Sequence, residues 1–296
     1  MIYRQSIGPV NLATVKSQSM LSTLTHVLTG RNDRPILLDI KWDKEQTQKG
    51  LVIFVHGYKG FKDWGAWNLV SEKFARAGYT FLKFNFSHNG TTPDHPTDFV
   101  DLEAFSDNNY SIELDEIHIV TDWALSSNEV PSSKQTALIG HSRGGGLAIL
   151  GASEDERIDK LITWAAVSDF GDRFPIYEDL HQWKWDGVYH VLNGRTGQQM
   201  PHKYQWYKDF KENEERLYIR RHAREYTKPS LIVHALDDLA VHGSAAMRIH
   251  KWIKTSQIIL KDDGGHTFGM SHPWDKENLP IVMNDVVARS ISFLSL

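Results

Sequence analysis

The chain contains no cysteine, which excludes a disulfide framework, a thiolate nucleophile and any Cys-ligated metal. Nowhere do 18 apolar residues run together, and the first residues, Met1-Ile2-Tyr3-Arg4-Gln5-Ser6, lack the apolar stretch of a secretory signal. A soluble, cytoplasmic protein without a membrane partner is the expectation. Excess charge of one sign is lacking too. Lys and Arg number 33 against 37 Asp and Glu, a formal net charge of -4, which offers no basic footprint for nucleic acid. A small-molecule partner fits better. There are 15 histidines but no His-Glu-x-x-His pair, and neither His88 with His95 nor His266 with His272 has the carboxylate arrangement of a zinc site. No metal and no cofactor is expected. Internal repeats, low-complexity tracts and linkers are absent, and 296 residues with 41 % apolar content can bury a full core as one domain, 1–296.

What is present begins with Gly140-His141-Ser142-Arg143-Gly144. The apolar run Thr136 to Ile139 precedes it and the small-residue stretch Gly145-Gly146-Leu147-Ala148-Ile149 follows. A Ser is thereby set on a strand-to-helix turn flanked by glycines, the signature of a nucleophile elbow. The spacing has a steric reason: the Ser takes a strained backbone conformation that lifts its hydroxyl off the sheet, and side chains two residues either side would collide there.

Short apolar runs alternate with amphipathic segments along the rest of the chain, the pattern of a mostly parallel sheet covered by helices on both faces. Strands are expected at Ile36 to Ile40, Leu51 to Val55, Tyr79 to Phe84, Thr136 to Ile139, Leu161 to Ala166, Leu231 to Ala235 and Gln257 to Leu260. Helical stripes run through Trp67, Val70, Phe74 and Ala77, through Ile117, Val120 and Ala124, and through Val282, Val286 and Phe293. The polar, acidic stretch Thr91 to Asn109 reads as a long surface loop. Between Phe170 and Thr227 the chain is far longer than a crossover requires, so an inserted cap is expected at about 170–228. Its aromatic residues with polar tips, Trp183, Trp185, Trp206 and Tyr207 among them, are candidates to line a substrate pocket. The mixed charge near its end argues against a lipase lid, which would present a broad apolar surface.

A nucleophilic Ser needs a base, an orienting acid and an oxyanion hole. Leu231 to Ala235 opens into Leu236-Asp237-Asp238-Leu239, and Ile258-Ile259-Leu260 precedes Asp263-Gly264-Gly265-His266. Upstream, Leu51 to Val55 leads into His56-Gly57-Tyr58-Lys59-Gly60, a strand ending in a glycine turn. By these motifs and their order the chain resembles the α/β-hydrolase superfamily, in particular its cinnamoyl/feruloyl esterase and dienelactone hydrolase-like serine esterases. The resemblance spans about residues 35 to 168 and 230 to 296. It implies an α/β-hydrolase fold, with a mostly parallel central sheet, helices on both faces and an inserted cap. It further implies Ser142 as nucleophile, His266 as base, Asp238 as acid, and the N–H groups of Tyr58 and Arg143 as oxyanion donors.

Asp237 and Asp169 compete with Asp238. Family spacing, counted from Ala235, selects Asp238; the plainer reading of Asp237 is a turn or cap residue, and of Asp169 a turn into the cap. His56 and His141 read as supports for the oxyanion loop and the elbow, and His234 as a satisfied core histidine. The Tyr58 hydroxyl is a further candidate oxyanion donor. The function expected is hydrolysis of soluble carboxylic esters with short or aryl acyl groups through an acyl-enzyme. The alternatives are an acyl thioesterase, an aminopeptidase-like hydrolase, or a non-catalytic ligand-binding relative.

Overall fold

A computed structural model describes residues 20–296. In chain order the elements are β1 (Leu21–Thr29), β2 (Pro35–Asp43), β3 (Gly50–Val55), α1 (Trp67–Arg76), β4 (Tyr79–Phe84), α2 (Leu102–Asp107), α3 (Tyr110–Ser126), β5 (Thr136–His141), α4 (Arg143–Glu154) and β6 (Lys160–Trp164). There follow α5 (Tyr177–Asp186), β7 (Val188–Leu192), β8 (Gln199–Lys203), α6 (Gln205–Glu212), α7 (Ile219–Glu225), β9 (Ser230–Ala235), α8 (Ser244–Trp252), β10 (Ser256–Lys261) and α9 (Ile281–Leu294).

Eight strands form one sheet in the order β1-β2-β4-β3-β5-β6-β9-β10. From β4 to β10 every neighbouring pair is parallel, while β2 runs antiparallel to both β1 and β4. Parallel strands covered on both faces bury every residue of β3, β4, β5 and β9, which explains why these segments are predominantly apolar. One core lies between the sheet and α3, α4, α7 and α8; the other packs α1 and α9 against the opposite face. Among the described residues no helix is long and apolar enough to cross a membrane.

All seven expected strands are present, within a few residues at their ends. The sheet also has β1, which the sequence reading omits. It lies at an edge with alternate residues facing out, so its Ser, Thr and His positions break the apolar signal.

The stretch from Thr91 to Asn109 corrects the loop expectation. It carries α2, whose first turn is capped by Asp101 Oδ1 accepting from Ala104 N–H at 2.9 Å. Phe99 and Phe105 are buried with Phe61 and Met200 in a small core of their own, and α2 packs on β8. The acidic residues masked that apolar content.

Of the long insertion, α5, the β7–β8 hairpin and α6 stand apart from the main sheet. By contrast α7 packs on α4 and α8, so the last part of the 170–228 segment belongs to the helical layer of the sheet rather than to the cap.

Candidate active site

Ser142 joins β5 to α4 with φ 58° and ψ -121°, a conformation costly for a residue with a side chain. Its backbone is pinned on both sides: its N–H donates to Trp164 O at 2.9 Å, and its carbonyl accepts from Gly145 and Val167 at 3.0 and 3.1 Å. The flanking glycines are required by contact. A Cβ on Gly140 would stand 2.2 Å from Gly144 O, and one on Gly144 would stand 2.3 Å from Val55 O. Although Ser142 is the N-cap of α4, its hydroxyl caps no backbone N–H and is left to point out of the turn.

His266 stands in a short 3-10 turn (Gly265–Thr267) after β10. Its Nε2 lies 2.9 Å from Ser142 Oγ and its Nδ1 2.8 Å from Asp238 Oδ2. A carboxylate only accepts, so Nδ1 carries the proton and Nε2 presents its lone pair to the Ser142 hydroxyl. Asp238, in the turn after β9, has a fully buried side chain. Burial alone would raise its pKa, but hydrogen bonds from His234, His266 and the Val241 N–H hold it far below the carboxylate range. Its Oδ1 accepts from Ala240 and Val241 N–H at 2.8 and 2.9 Å.

The rival carboxylates lie elsewhere. Asp237 Oδ1 accepts from Gly265 N–H at 2.8 Å, steadying the turn that bears His266. Asp169 Oδ1 accepts from Gly171 N–H at 2.7 Å, in the turn into the cap. His234 differs from a plain core histidine. Its Nε2 donates to Val241 O at 2.8 Å and lies 3.3 Å from Asp238 Oδ2, whereas its buried Nδ1 has no partner. It is a second imidazole on Asp238 to which no sequence motif points.

The turn after β3 abuts the same hydroxyl. A Cβ on Gly57 would stand 2.9 Å from Ser142 Cβ. His56 Nδ1 donates to Gly57 O at 2.9 Å, and His141 Nε2 donates to His266 O at 2.8 Å. Burial keeps both rings neutral, with pKa values pushed down to about 4 and about 3. Further along the turn, Lys62 bonds Asp39 and Asp63, each at 2.5 Å, and Lys83 bonds the same two carboxylates. This buried quartet ties the turn to β2 and β4. The Arg143 N–H opens α4, where no intrahelical acceptor exists. Among the described residues neither it nor the Tyr58 N–H donates to a protein acceptor.

The Tyr58 hydroxyl shares a hydrogen bond with His202 Nε2 at 2.7 Å; burial pushes the phenol up to about 12 and the imidazole down to about 3. That hydroxyl is therefore engaged by the cap. The Arg143 guanidinium is buried against the rings of Tyr58, Tyr110 and Trp206 at 4.4, 5.2 and 4.9 Å, and its Nη1 donates to Glu113 Oε1 at 3.2 Å.

A Ser on a strained strand-to-helix turn, in a doubly covered parallel sheet, is matched by the profile of the alpha/beta hydrolase family over residues 52–276. The chain belongs to that family. No curated protein sequence matches it. Among solved structures it is similar to Est1E from Butyrivibrio proteoclasticus with ferulic acid bound, at 19 % identity and TM-score 0.66, covering 90 % of this chain and 99 % of that one. Alpha/beta hydrolase domain-containing protein 10 from mouse is 16 % identical with TM-score 0.66, covering 92 % and 98 %. The acetyl xylan esterase from Paenibacillus sp. R4 is 20 % identical with TM-score 0.58, covering 96 % and 86 %. At these identities the likeness is one of fold.

In this α/β hydrolase a cavity of about 270 Å3 opens between the elbow and the cap, lined by Tyr58, Tyr110, Arg143, Trp183, His202 and Trp206 among others. Two of the four aromatic candidates therefore line it. Trp185 does not: it is 88 % exposed, because two residues along α5 turn it about 200° from Trp183, whose indole is anchored inward by donating to His202 O at 2.8 Å. Tyr207 does not line it either. One residue beyond Trp206 on α6, it packs at 5.3 Å against Phe174, behind the wall. Tyr58 also borders a second hollow, of about 360 Å3, which His266 lines. Among the described residues no three His, Asp or Glu side chains gather as a metal would need.

Proposed function

We propose that this hydrolase cleaves soluble carboxylic esters with short or aryl acyl groups, through an acyl-enzyme on Ser142. The observation that carries the reading is the hydrogen-bonded relay Ser142 Oγ, His266, Asp238, at 2.9 and 2.8 Å. In this reading His266 Nε2 takes the proton as Ser142 Oγ attacks the ester carbonyl, and Asp238 holds the Nδ1–H tautomer and offsets the imidazolium charge. The tetrahedral oxygen is met by the N–H groups of Tyr58 and Arg143, each worth about 3 kcal/mol of transition-state stabilisation in comparable enzymes. The positive end of α4 adds to them. His266 then returns the proton to the departing alkoxide, water repeats the attack, and the carboxylate leaves.

Proton return fixes which half of the substrate goes where. In this reading the alcohol oxygen lies on the His266 side, which supports the hollow lined by His266 as the place of the alcohol and the aromatic cavity lined by Arg143 as that of the acyl group. Rings at that cavity suit an aryl acyl group. The likeness in fold to Est1E, whose structure holds ferulic acid, and to an acetyl xylan esterase supports an ester over an amide.

The test is labelling by a fluorophosphonate, followed by mapping of the adduct, together with a panel of alkyl and aryl esters, acyl thioesters and aminoacyl anilides. Labelling at Ser142, its loss in Ser142→Ala, and turnover of esters above the other classes are expected. Full ester hydrolysis by a folded Ser142→Ala protein would sink the reading.

A further inference from the structure

The two hollows differ in their charges. In the aromatic cavity the Arg143 guanidinium is paired with Glu113. On the His266 side, Lys59 and Arg195 line the hollow and no Asp or Glu does. Among the described residues neither cation has a carboxylate partner. Lys59 Nζ donates only to Leu192 O, at 3.3 Å. The Arg195 guanidinium stands over the rings of Phe61 and Phe99 at 5.7 and 5.8 Å. The contrast with Lys62 and Lys83, both saturated by Asp39 and Asp63 close by, marks these two charges as unmatched.

A third residue points the same way. Asn193, at the tip of the β7–β8 hairpin, is 4 % exposed and lines the hollow. Its Oδ1 accepts from Arg195 N–H at 3.1 Å, which settles the orientation of the amide. Its Nδ2 is then a buried donor with no partner, a costly state that a ligand acceptor would relieve. Lys59, beside the oxyanion turn, is held at φ 53°, in the left-handed region disfavoured for a residue with a Cβ. Two unpaired cations and an orphaned amide donor therefore line one hollow, on the side where the departing alcohol would lie.

We propose that this hollow is a leaving-group subsite for alcohols bearing an oxyanion group: a phosphate, sulfate, sulfonate or carboxylate. The assignment to the leaving group rests on the ester hydrolysis proposed above. The oxyanion chemistry itself rests only on Lys59, Arg195 and Asn193. In the aromatic cavity Arg143 is already matched by Glu113, and the other cation of its lining, the exposed Arg173, donates to Ala240 O at 3.1 Å.

The experiment compares 4-acetoxybenzenesulfonate with 4-acetoxybenzenesulfonamide, which share acyl group and shape and differ by one charge. At low ionic strength kcat/KM is expected to be about tenfold higher for the sulfonate, and the preference should shrink as salt is added. In the Lys59→Met/Arg195→Met double variant the ratio, read within one protein, should fall to below about threefold. A wild-type ratio of one or less, or a preference unmoved by salt and by both substitutions, overturns the subsite. Failure of both esters to react would instead count against the ester reading. The subsite is then judged by calorimetric binding to Ser142→Ala protein of phenyl phosphate, 4-hydroxybenzenesulfonate and 4-hydroxybenzoate, each against neutral 4-hydroxybenzenesulfonamide. Tighter binding of an anion names its class, and equal binding of all four overturns the proposal.

Discussion

Asp238→Asn changes one oxygen to an NH2 group, and the surrounding hydrogen bonds dictate where that group goes. Oδ1 of Asp238 accepts two backbone N–H groups, from Ala240 and Val241. Placing the NH2 there would leave both donors buried and unpaired, at about 1–3 kcal/mol each. The NH2 must therefore take the Oδ2 position, 2.8 Å from His266 Nδ1. It can donate there only if the imidazole moves its proton to Nε2. That nitrogen then presents N–H to Ser142 Oγ, 2.9 Å away, and cannot accept the hydroxyl proton. The wrong tautomer is expected to lower kcat by about four orders of magnitude, or about 5.5 kcal/mol of barrier. His234 keeps its bond to Val241 O at 2.8 Å and loses only the weaker 3.3 Å approach to the acid, so the fold should survive.

The assay is steady-state hydrolysis of 4-nitrophenyl acetate, with near-UV circular dichroism as the check on folding. Asp237→Asn and Asp169→Asn serve as controls. Each of those carboxylates accepts one backbone N–H through Oδ1, a bond an Asn carbonyl keeps, and each should change kcat by less than about tenfold. A folded Asp238→Asn protein retaining kcat within tenfold of the unaltered chain would refute the tautomer argument and with it the role of Asp238.

Tyr58→Phe should cost about 1 kcal/mol of stability for the lost bond to His202 and leave kcat within about fivefold, because the proposed oxyanion donor is the backbone N–H; a hundredfold drop in kcat would assign the hydroxyl to the oxyanion hole. Burial holds the pKa values of His56, His88, His141 and His202 down to about 4, 4, 3 and 3, so the stability these neutral rings contribute is present above pH 6.5 and is lost as pH falls. Glu116 opposes them with one proton, its pKa raised to about 7 by burial, and the net loss is at most about 4 kcal/mol per pH unit; thermal melts should show a lower Tm at pH 5 than at pH 6.5, and a higher one would contradict the sign. Trp206→Ala should cut the ratio of hydroxycinnamoyl to butyryl ester hydrolysis several-fold while Trp185→Ala leaves it unchanged, and a preference for decanoyl esters or activation by micelles would count against the acyl-pocket assignment.

How much of this was legible follows from what each feature depends on. The elbow was readable because its glycines are imposed by backbone contacts two residues apart, which leave no choice of side chain at Gly140 or Gly144. The inner strands were readable because burial on both faces demands continuous apolar sequence. The hairpin was not: β7 has one Tyr and one His facing out, and β8 carries Pro201, which a sequence reading takes as a sign against a strand. Trp183 and Trp185 were not separable, since which side of α5 faces inward is set by the His202 carbonyl on a strand nineteen residues away. His234 and Asn193 lay beyond reach for the same reason. Their significance comes from partners, or the lack of one, that only the folded chain brings near.

The elbow constrains Arg143 and Tyr58 through their backbone alone, since the proposed oxyanion donors are N–H groups whose positions follow from the first turn of α4 and the turn after β3. Their side chains are thereby released for another purpose, and both are spent on the cap. Tyr58 reaches His202 on β8, and Arg143 lies against Trp206 on α6 while pairing with Glu113 on α3. A buried ion pair of this kind is weak support for stability in itself, because desolvation offsets most of its attraction. Its consequence is positional. The guanidinium cannot leave Glu113 without stranding a buried charge, so Trp206, Tyr110 and Tyr58 are held around it at fixed distances from Ser142. The proposed chemistry and the proposed acyl selectivity would thus be joined through the same two residues, one role in the backbone and the other in the side chain. The proposed alcohol side has no such lock, and its cations stand on a surface turn and a hairpin tip, where substitution should alter leaving-group preference without moving the relay.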